Sequence, residues 1–310
     1  MKILVTGAAG FIGSNLVERL SEVGEVRGLD DLSTGYLRNI EGLNLDFIEG
    51  SILDETILKK AVQGCDAIVH LAARPSVPRS LAEPQKSHEV NATGTLRVLD
   101  AARSLNDPIV IVASSSSVYG ANPTLPKSET ALPMPMSPYA VSKLAAEQYT
   151  LAWQYSYGMK TLPFRFFNVF GPKQAPDHDY AAVVPTFIAS AIRGETLHIN
   201  GDGLQSRDFT YVGTVCDVIS EAATRRISHN SPVNLAFGTR TSLLEVVEIL
   251  EKIMGRSLHV SHREDRVGDV RHSQADNSVL KKLFAEVNPV TLEEGLHSTV
   301  EWLQNYLDLK

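Results

Sequence analysis

The chain has 310 residues, 43% of them hydrophobic and 21% charged, with a mean hydropathy near zero. This excludes intrinsic disorder and low-complexity or collagen-like architectures, and the length allows about two domains with a large core. With 29 Lys and Arg against 36 Asp and Glu, the formal charge of −7 provides no global positive field. No nucleic-acid or membrane partner is therefore expected, although a local basic patch could still hold a phosphorylated small ligand.

The opening run Met1-Lys2-Ile3-Leu4-Val5-Thr6-Gly7 breaks into glycines before it could form a signal-peptide core, and no apolar run reaches the roughly 18 residues that span a bilayer. A cytoplasmic protein is the expectation. Cys65 and Cys216 are isolated, which argues against a disulfide framework and a structural zinc and predicts two buried, reduced thiols. His70, His178 and His272 do not fall at metal-ligand spacing, so no metal is expected.

In chain order, Lys2–Thr6 reads as a strand, Phe11–Val23 as a helix and Val26–Leu29 as a strand, followed by strands at Ala67–Leu71, Ile109–Ala113 and Thr161–Phe167. Near-continuous apolar strands separated by helices are what a parallel sheet covered on both faces requires. The predicted fold is α/β, a doubly wound parallel sheet with a smaller α+β substrate-binding lobe. Asn91–Ser104 has helical spacing. Ser137 and Pro138 offer an N-cap and a first-turn proline for a helix over Tyr139–Tyr157, which Gly158 stops. Beyond Gly171 the alternation loses regularity, with helices expected at Tyr180–Arg193, Val215–Thr224 and Ser242–Met254. The expected division is a dinucleotide-binding domain over 1–170 and a mainly ligand-binding lobe over 171–310, with segments such as Val233–Phe237 returning to the first.

Gly7-Ala8-Ala9-Gly10-Phe11-Ile12-Gly13 follows a strand and opens a helix, so its backbone can turn tightly and present helix N-terminal amides to a pyrophosphate. Taken alone, such a segment is simply a tight turn. About twenty residues on, the next strand ends in Asp30, placed to accept hydrogen bonds from ribose hydroxyls and to repel a 2′-phosphate, which selects NAD over NADP. Tyr139 and Lys143 lie one helical turn apart on one face, a spacing that is common by chance. Its weight comes from Ser114-Ser115-Ser116-Ser117, which ends an apolar strand and brings hydroxyls to the carboxyl edge of the sheet, where open α/β sheets bind ligands. Lys143, the positive end of the helix and the nicotinamide cation are expected to favour Tyr139 as phenolate.

The stretches VTGAAGFIGS, HLAARPSVPRS, ASSSSVYG, SPYAVSK, RFFNVFGPKQAP, GDGLQSRDFTYV and RVGDVRHSQAD together resemble the extended short-chain dehydrogenase/reductases that act on nucleotide sugars, over effectively the whole chain. Within them the chain is most similar to the UDP-sugar 4-epimerases, and YAAVVPTFI, HINGDGLQSRDF and GDVRHSQAD resemble the UDP-N-acetylhexosamine branch. The resemblance implies catalytic roles for Ser115, Tyr139 and Lys143. It implies NAD contacts from Gly7, Gly10, Phe11, Ile12, Gly13, Asp30, Ser51, Ile52, Leu71, Ala72, Ala73 and Asn91, joined by Tyr139 and Lys143. For a UDP-sugar substrate it implies Ser115, Ser116, Asn168, Gln174, Val184, Arg207, Arg266, Asp269 and Ser273. It also implies a homodimer through the helices at Asn91–Ser104 and Tyr139–Tyr157.

Related dehydratases carry an Asp-Glu pair, and UDP-glucuronate decarboxylases a Glu, where this chain has Ser116 and Ser117, so acid-assisted elimination lacks its acid. Two departures stand out: Ser51 replaces an Asp that meets the adenine amine, and Pro75 replaces a Lys or Gly near the sugar. Ser273 replaces the bulky tyrosine of epimerases restricted to UDP-glucose and UDP-galactose, which leaves volume for an N-acetyl group. The reading is an epimerase of UDP-N-acetylglucosamine and UDP-N-acetylgalactosamine, with turnover of UDP-glucose and UDP-galactose left open. A nucleotide-sugar oxidoreductase that releases NADH, or a non-catalytic NAD-sensing protein, are the alternatives.

Overall fold

A computed structural model describes residues 1–176, 181–264 and 271–308. The main sheet takes β1 (Lys2–Thr6), β2 (Glu25–Asp30), β3 (Asp46–Glu49), β4 (Ala67–His70), β5 (Ile109–Ser115) and β6 (Lys160–Phe166) from the first half of the chain. Short strands follow: β7 (Val169–Phe170), β8 (Leu197–Asn200), β9 (Ser206–Arg207), β10 (Thr210–Tyr211), β11 (Val233–Leu235), β12 (Thr241–Ser242) and β13 (Val260–Arg263). The helices are α1 (Phe11–Leu20), α2 (Glu55–Val62), α3 (Val77–Ala82), α4 (Pro84–His88), α5 (Gly94–Ala102) and α6 (Pro138–Tyr157), then α7 (Val183–Arg193), α8 (Val212–Thr224), α9 (Leu243–Met254), α10 (Ser278–Leu283) and α11 (Leu292–Asp308).

The main sheet has seven strands in the order β11-β6-β5-β4-β1-β2-β3, every pairing parallel. Strand order reverses between β1 and β4, and the crevice at the carboxyl ends there is where such sheets bind ligands. Successive side chains of a strand face opposite sides, and here both sides are covered. Ile3 and Val5 pack with Leu16 of α1 and Ile219 of α8, while Leu4 packs with Leu58 of α2 and Val98 of α5. A separate core of Phe187, Ile188, Leu197, Leu250 and Leu303 joins α7, α9 and α11 to the parallel β8–β13 pair.

The capping residues act where their chemistry predicts. The Ser137 hydroxyl accepts from Ala140 N–H, Pro138 fills the first turn of α6, and Gly158 ends it at φ +66°. Helix α1 stops at Leu20, short of Val23, because Val23 and Gly24 close a turn onto the Leu20 carbonyl. The 91–104 helix begins with a π-turn at Glu89–Thr93 before α5 proper. Helix α8 starts earlier than expected, at Val212. Tyr180, the expected start of α7, lies outside the described residues.

Candidate active site

A cleft of about 530 Å³ opens at the switch point, walled by the glycine turn, Asp30, the residues after β4, the end of β5 and the start of α6. Gly7 takes φ +74°, and a Cβ there would stand 2.8 Å from Ala72 N. A Cβ on Gly13 would stand 1.9 Å from the Gly7 carbonyl oxygen, so α1 can approach β1 this closely only without a side chain. Gly10 caps α1 with no side-chain hydrogen bond, and the first turn of α1 carries no acid. Its terminal amides are thus left for a ligand anion.

Asp30 is buried, and its carboxylate accepts from Ala9 N–H at 2.9 Å and Leu32 N–H at 2.8 Å, which locks it beside the turn. Burial pushes its carboxyl up, and those two backbone bonds oppose the shift. Phe11, Ile12, Ile52, Leu71, Ala72 and Ala73 line the same cleft. The Ser51 hydroxyl instead accepts from Leu53 N–H at 3.2 Å, and Gly50 and Ile52 on either side form the wall. Asn91 is buried behind the wall, accepting from Arg74 N–H at 2.7 Å and donating to the Ser142 hydroxyl at 3.0 Å, so it pins the loop after β4 to α6.

Ser115, Tyr139 and Lys143 all line the cleft. Lys143 Nζ donates to the Ala113 carbonyl at 2.8 Å, and burial brings its pKa down to about 8. Burial pushes Tyr139 up, opposed by a hydrogen bond with Ser115. In the chain alone desolvation is the larger influence, and the expectation of a phenolate also counts the nicotinamide cation, a charge that the chain itself does not supply. Ser117 was not singled out as a site residue, yet its hydroxyl donates to Ser115 Oγ at 2.9 Å and its N–H at 3.2 Å. Those bonds occupy the Ser115 acceptor sites and leave its own proton for Tyr139. The serine run after β5 was the available signal, but only the 3₁₀ turn over Ser116–Tyr119 folds Ser117 back onto Ser115.

Gln174 lines the cleft, its Nε2 donating to the Val169 carbonyl at 3.3 Å while its Oε1 is buried without a partner. Pro75 lines it too. Ser116, Asn168, Val184, Arg207 and Ser273 stand outside those walls. Val184 is packed in the second core, and the Asn168 amide donates to the Asp208 carbonyl at 3.3 Å. Arg207 Nη1 donates to the carbonyls of Ser206 at 3.0 Å and Arg271 at 3.2 Å. Ser273 N–H donates to the Ser206 carbonyl at 3.0 Å. Arg266, Asp269 and His178 lie outside the described residues. Cys65 and Cys216 are buried free thiols, and among the described residues no three His, Cys, Asp or Glu side chains group as a metal site would need.

The NAD dependent epimerase/dehydratase family model matches residues 3–236. A UDP-glucose 4-epimerase of Mycolicibacterium smegmatis is 36% identical over 312 residues, covering 98% of this chain and 99% of that protein. The solved UDP-N-acetylglucosamine 4-epimerase of Methanobrevibacter ruminantium, in complex with UDP-N-acetylmuramic acid, superposes with a TM-score of 0.93 at 36% identity, covering 98% of each chain. The UDP-glucose 4-epimerase of Thermotoga maritima, solved with UDP-glucose, gives a TM-score of 0.91 at 35% identity, covering 99% of this chain and 100% of that one. NAD is the cofactor expected from Asp30, and the glycine cradle, the uncapped α1 terminus and the buried carboxylate fit it. The chain belongs to the NAD dependent epimerase/dehydratase family.

Proposed function

We propose that this protein is a UDP-sugar 4-epimerase that interconverts UDP-N-acetylglucosamine and UDP-N-acetylgalactosamine. The observation that carries the reading is that the glycine cradle, Asp30, Ser115, Tyr139 and Lys143 wall one cleft. Gly7, Gly10 and Gly13, with the first amides of α1, would hold the pyrophosphate, Asp30 the adenosine ribose, and Lys143 the nicotinamide ribose. Held there, NAD would supply a reversible hydride acceptor for carbon 4 of the sugar, with no net redox over the cycle.

The chain's own work is proton handling. Tyr139 takes the proton of the 4-hydroxyl and later gives it back, as a general base and acid. Ser115, its lone pairs occupied by Ser117, donates to the phenolic oxygen and so favours its ionised form. Lys143 is mostly protonated at neutral pH with a pKa of about 8, and it lies one turn from Tyr139 as the nearest cation the chain itself supplies on that helix. Family members also include dehydratases, but elimination needs a carboxyl acid beside the serine, and this chain has Ser116 and Ser117 there.

The acetylated pair is favoured by Ser273, whose side chain is small where epimerases restricted to UDP-glucose and UDP-galactose carry tyrosine, and by the buried acceptor of Gln174 in the cleft wall. The expected division, cofactor binding over 1–170 and mainly UDP-sugar binding over 171–310, accords with the separate core formed by α7, α9 and α11. A homodimer is supported by the exposed Val141, Tyr149, Tyr155 and Tyr157 of α6. Among the described residues no helix is long and apolar enough to cross a membrane, and the cytoplasmic assignment is part of the same proposal. Incubation of the purified protein separately with UDP-N-acetylglucosamine and UDP-glucose, with products resolved by NMR, tests the reading. Formation of the 4-epimers without accumulation of NADH is expected, and steady NADH release would turn it toward an oxidoreductase.

A further inference from the structure

Asp208 has no exposed surface, follows Arg207 directly, and is used by no step above. A carboxyl taken out of water persists only where hydrogen bonds replace its hydration. The donors here come from two distant segments: Gly238 N–H and Ala275 N–H each reach Oδ2 at 3.0 Å, and the Thr239 hydroxyl reaches Oδ1 at 3.0 Å. The Asp208 carbonyl accepts from Asn168 at 3.3 Å, which brings in the turn after β6.

Ser206 makes a second set of ties at the same junction. Its N–H donates to the Arg271 carbonyl and its carbonyl accepts from Ser273 N–H, each at 3.0 Å. Its hydroxyl lies 2.9 Å from His272 Nδ1 and accepts from Arg240 Nε at 3.1 Å. The antiparallel β9–β12 pairing brings Arg207 opposite Thr241. Burial, followed by the nearby guanidinium groups of Arg240, Arg271 and Arg207, holds the His272 imidazole below its usual range. Asp202 opposes that shift and pairs with Arg271 at 2.6 Å, and the planar guanidinium forks of Arg240 and Arg207 beside it have the donor geometry that suits a diphosphate.

We propose that Asp208 is the positioning residue of the UDP half of the site: its carboxylate gathers segments 206–208, 237–241 and 271–276 so that Arg207, Arg240 and Ser273 stand in register around one nucleotide diphosphate sugar. The proposal rests on the UDP-sugar reading above. It separates the two halves of the ligand site, because nothing Asp208 holds lines the glycine cradle.

The test is calorimetric titration of the wild type and of Asp208→Asn with UDP and, separately, with NAD, together with KM and kcat for the UDP-sugar. An amide keeps one acceptor for the Gly238 and Ala275 N–H groups but loses the negative charge and the acceptor that the Thr239 hydroxyl uses, so the UDP Kd should rise at least about tenfold, the equivalent of one lost charge-assisted bond. NAD affinity should stay within about twofold, and KM should rise more than kcat falls. Thr239→Val, an exposed position that removes one donor, should move UDP affinity in the same direction by about threefold and keeps the test decisive if Asp208→Asn does not fold. UDP affinity unchanged in the folded variant, or UDP and NAD affinities falling together, would overturn the proposal. A wild type that binds no UDP would overturn the reading beneath it, whereas a UDP-binding wild type beside an indifferent variant would overturn the positioning role alone.

Discussion

The Ser114 hydroxyl donates a 2.7 Å hydrogen bond to Glu147, so the residue before Ser115 is tied to the turn of α6 that follows Lys143. Glu147 also accepts from Arg165 through Nε at 2.9 Å and Nη2 at 2.7 Å, with both side chains almost fully buried. The Arg165 guanidinium lies 4.6 Å from the centroid of the Tyr119 ring, whose hydroxyl donates to Asn234 of β11 at 2.6 Å. One polar chain thus joins β5, α6, β6 and β11 directly behind the proposed catalytic side chains.

Glu147→Gln should leave Arg165 buried without its counter-charge, and breaking such a pair typically costs about 3–5 kcal/mol. Urea unfolding measures this. A cost under about 1 kcal/mol would mean that water enters to solvate Arg165.

Tyr139→Phe removes the phenol and nothing else, so NAD content should hold while kcat falls about 10² to 10⁴-fold, the usual loss for a general base. Lys143→Met should lose activity similarly and also weaken NAD binding, read by titration with the cofactor. A Tyr139→Phe variant that keeps half the wild-type rate would exclude Tyr139 as the base.

Asp30 should make the cofactor NAD in preference to NADP, since a carboxylate already held by two backbone amides cannot turn away from a 2′-phosphate. Mass spectrometry of the nucleotide released on denaturation checks this. Mainly NADP in that sample would contradict the assignment.

Ser273→Tyr should stop turnover of the acetylated pair by steric overlap while sparing any UDP-glucose activity. Parallel assays on the two substrates read the split. If both activities fall together, Ser273 supports the fold of its segment and does not gate the sugar.

His70 sets a pH dependence of stability. Its Nδ1 lies 2.7 Å from the Thr6 hydroxyl and its Nε2 3.0 Å from that of Thr95. Thr95 donates its proton to the Asn91 carbonyl at 2.6 Å, so it accepts from Nε2–H, and Nδ1 accepts from Thr6. This arrangement needs a neutral ring, and burial, with Lys143 adding to it, lowers its pKa from 6.5 to about 3. The unfolded chain takes up this proton as pH falls through 6.5 and the folded chain does not until about 3, so the contribution is complete above 6.5 and is lost as pH falls between those values. The slope for one proton is about 1.4 kcal/mol per pH unit, and His70→Gln should remove it from unfolding measured between about pH 4 and pH 6.

Local rules were enough to read the parallel strands, the glycine turn, Asp30 at the end of β2, and the Ser137 to Gly158 bounds of α6, because each depends on neighbours in the chain: apolar runs, a capping hydroxyl, a backbone that tolerates no side chain. The edge strand β3 was missed, since four residues with two exposed ends carry no pattern of their own and pair only because β2 is there. The same holds for the pairs β7–β10, β8–β13 and β9–β12, whose partners lie far apart in the chain. That Ser115, Tyr139 and Lys143 meet in one cleft was legible, but their electrostatics were not, because burial is a property of the packed molecule and it pushes Tyr139 up and Lys143 down. Ser117, Glu147 and Asp208 became visible only in three dimensions: a turn folds the first onto Ser115, a buried arginine explains the second, and the third is hydrogen-bonded by residues about 30 and 67 positions away. Sequence periodicity determines which elements form, whereas the desolvation and long-range hydrogen bonding that tune a site exist only once those elements have closed around it.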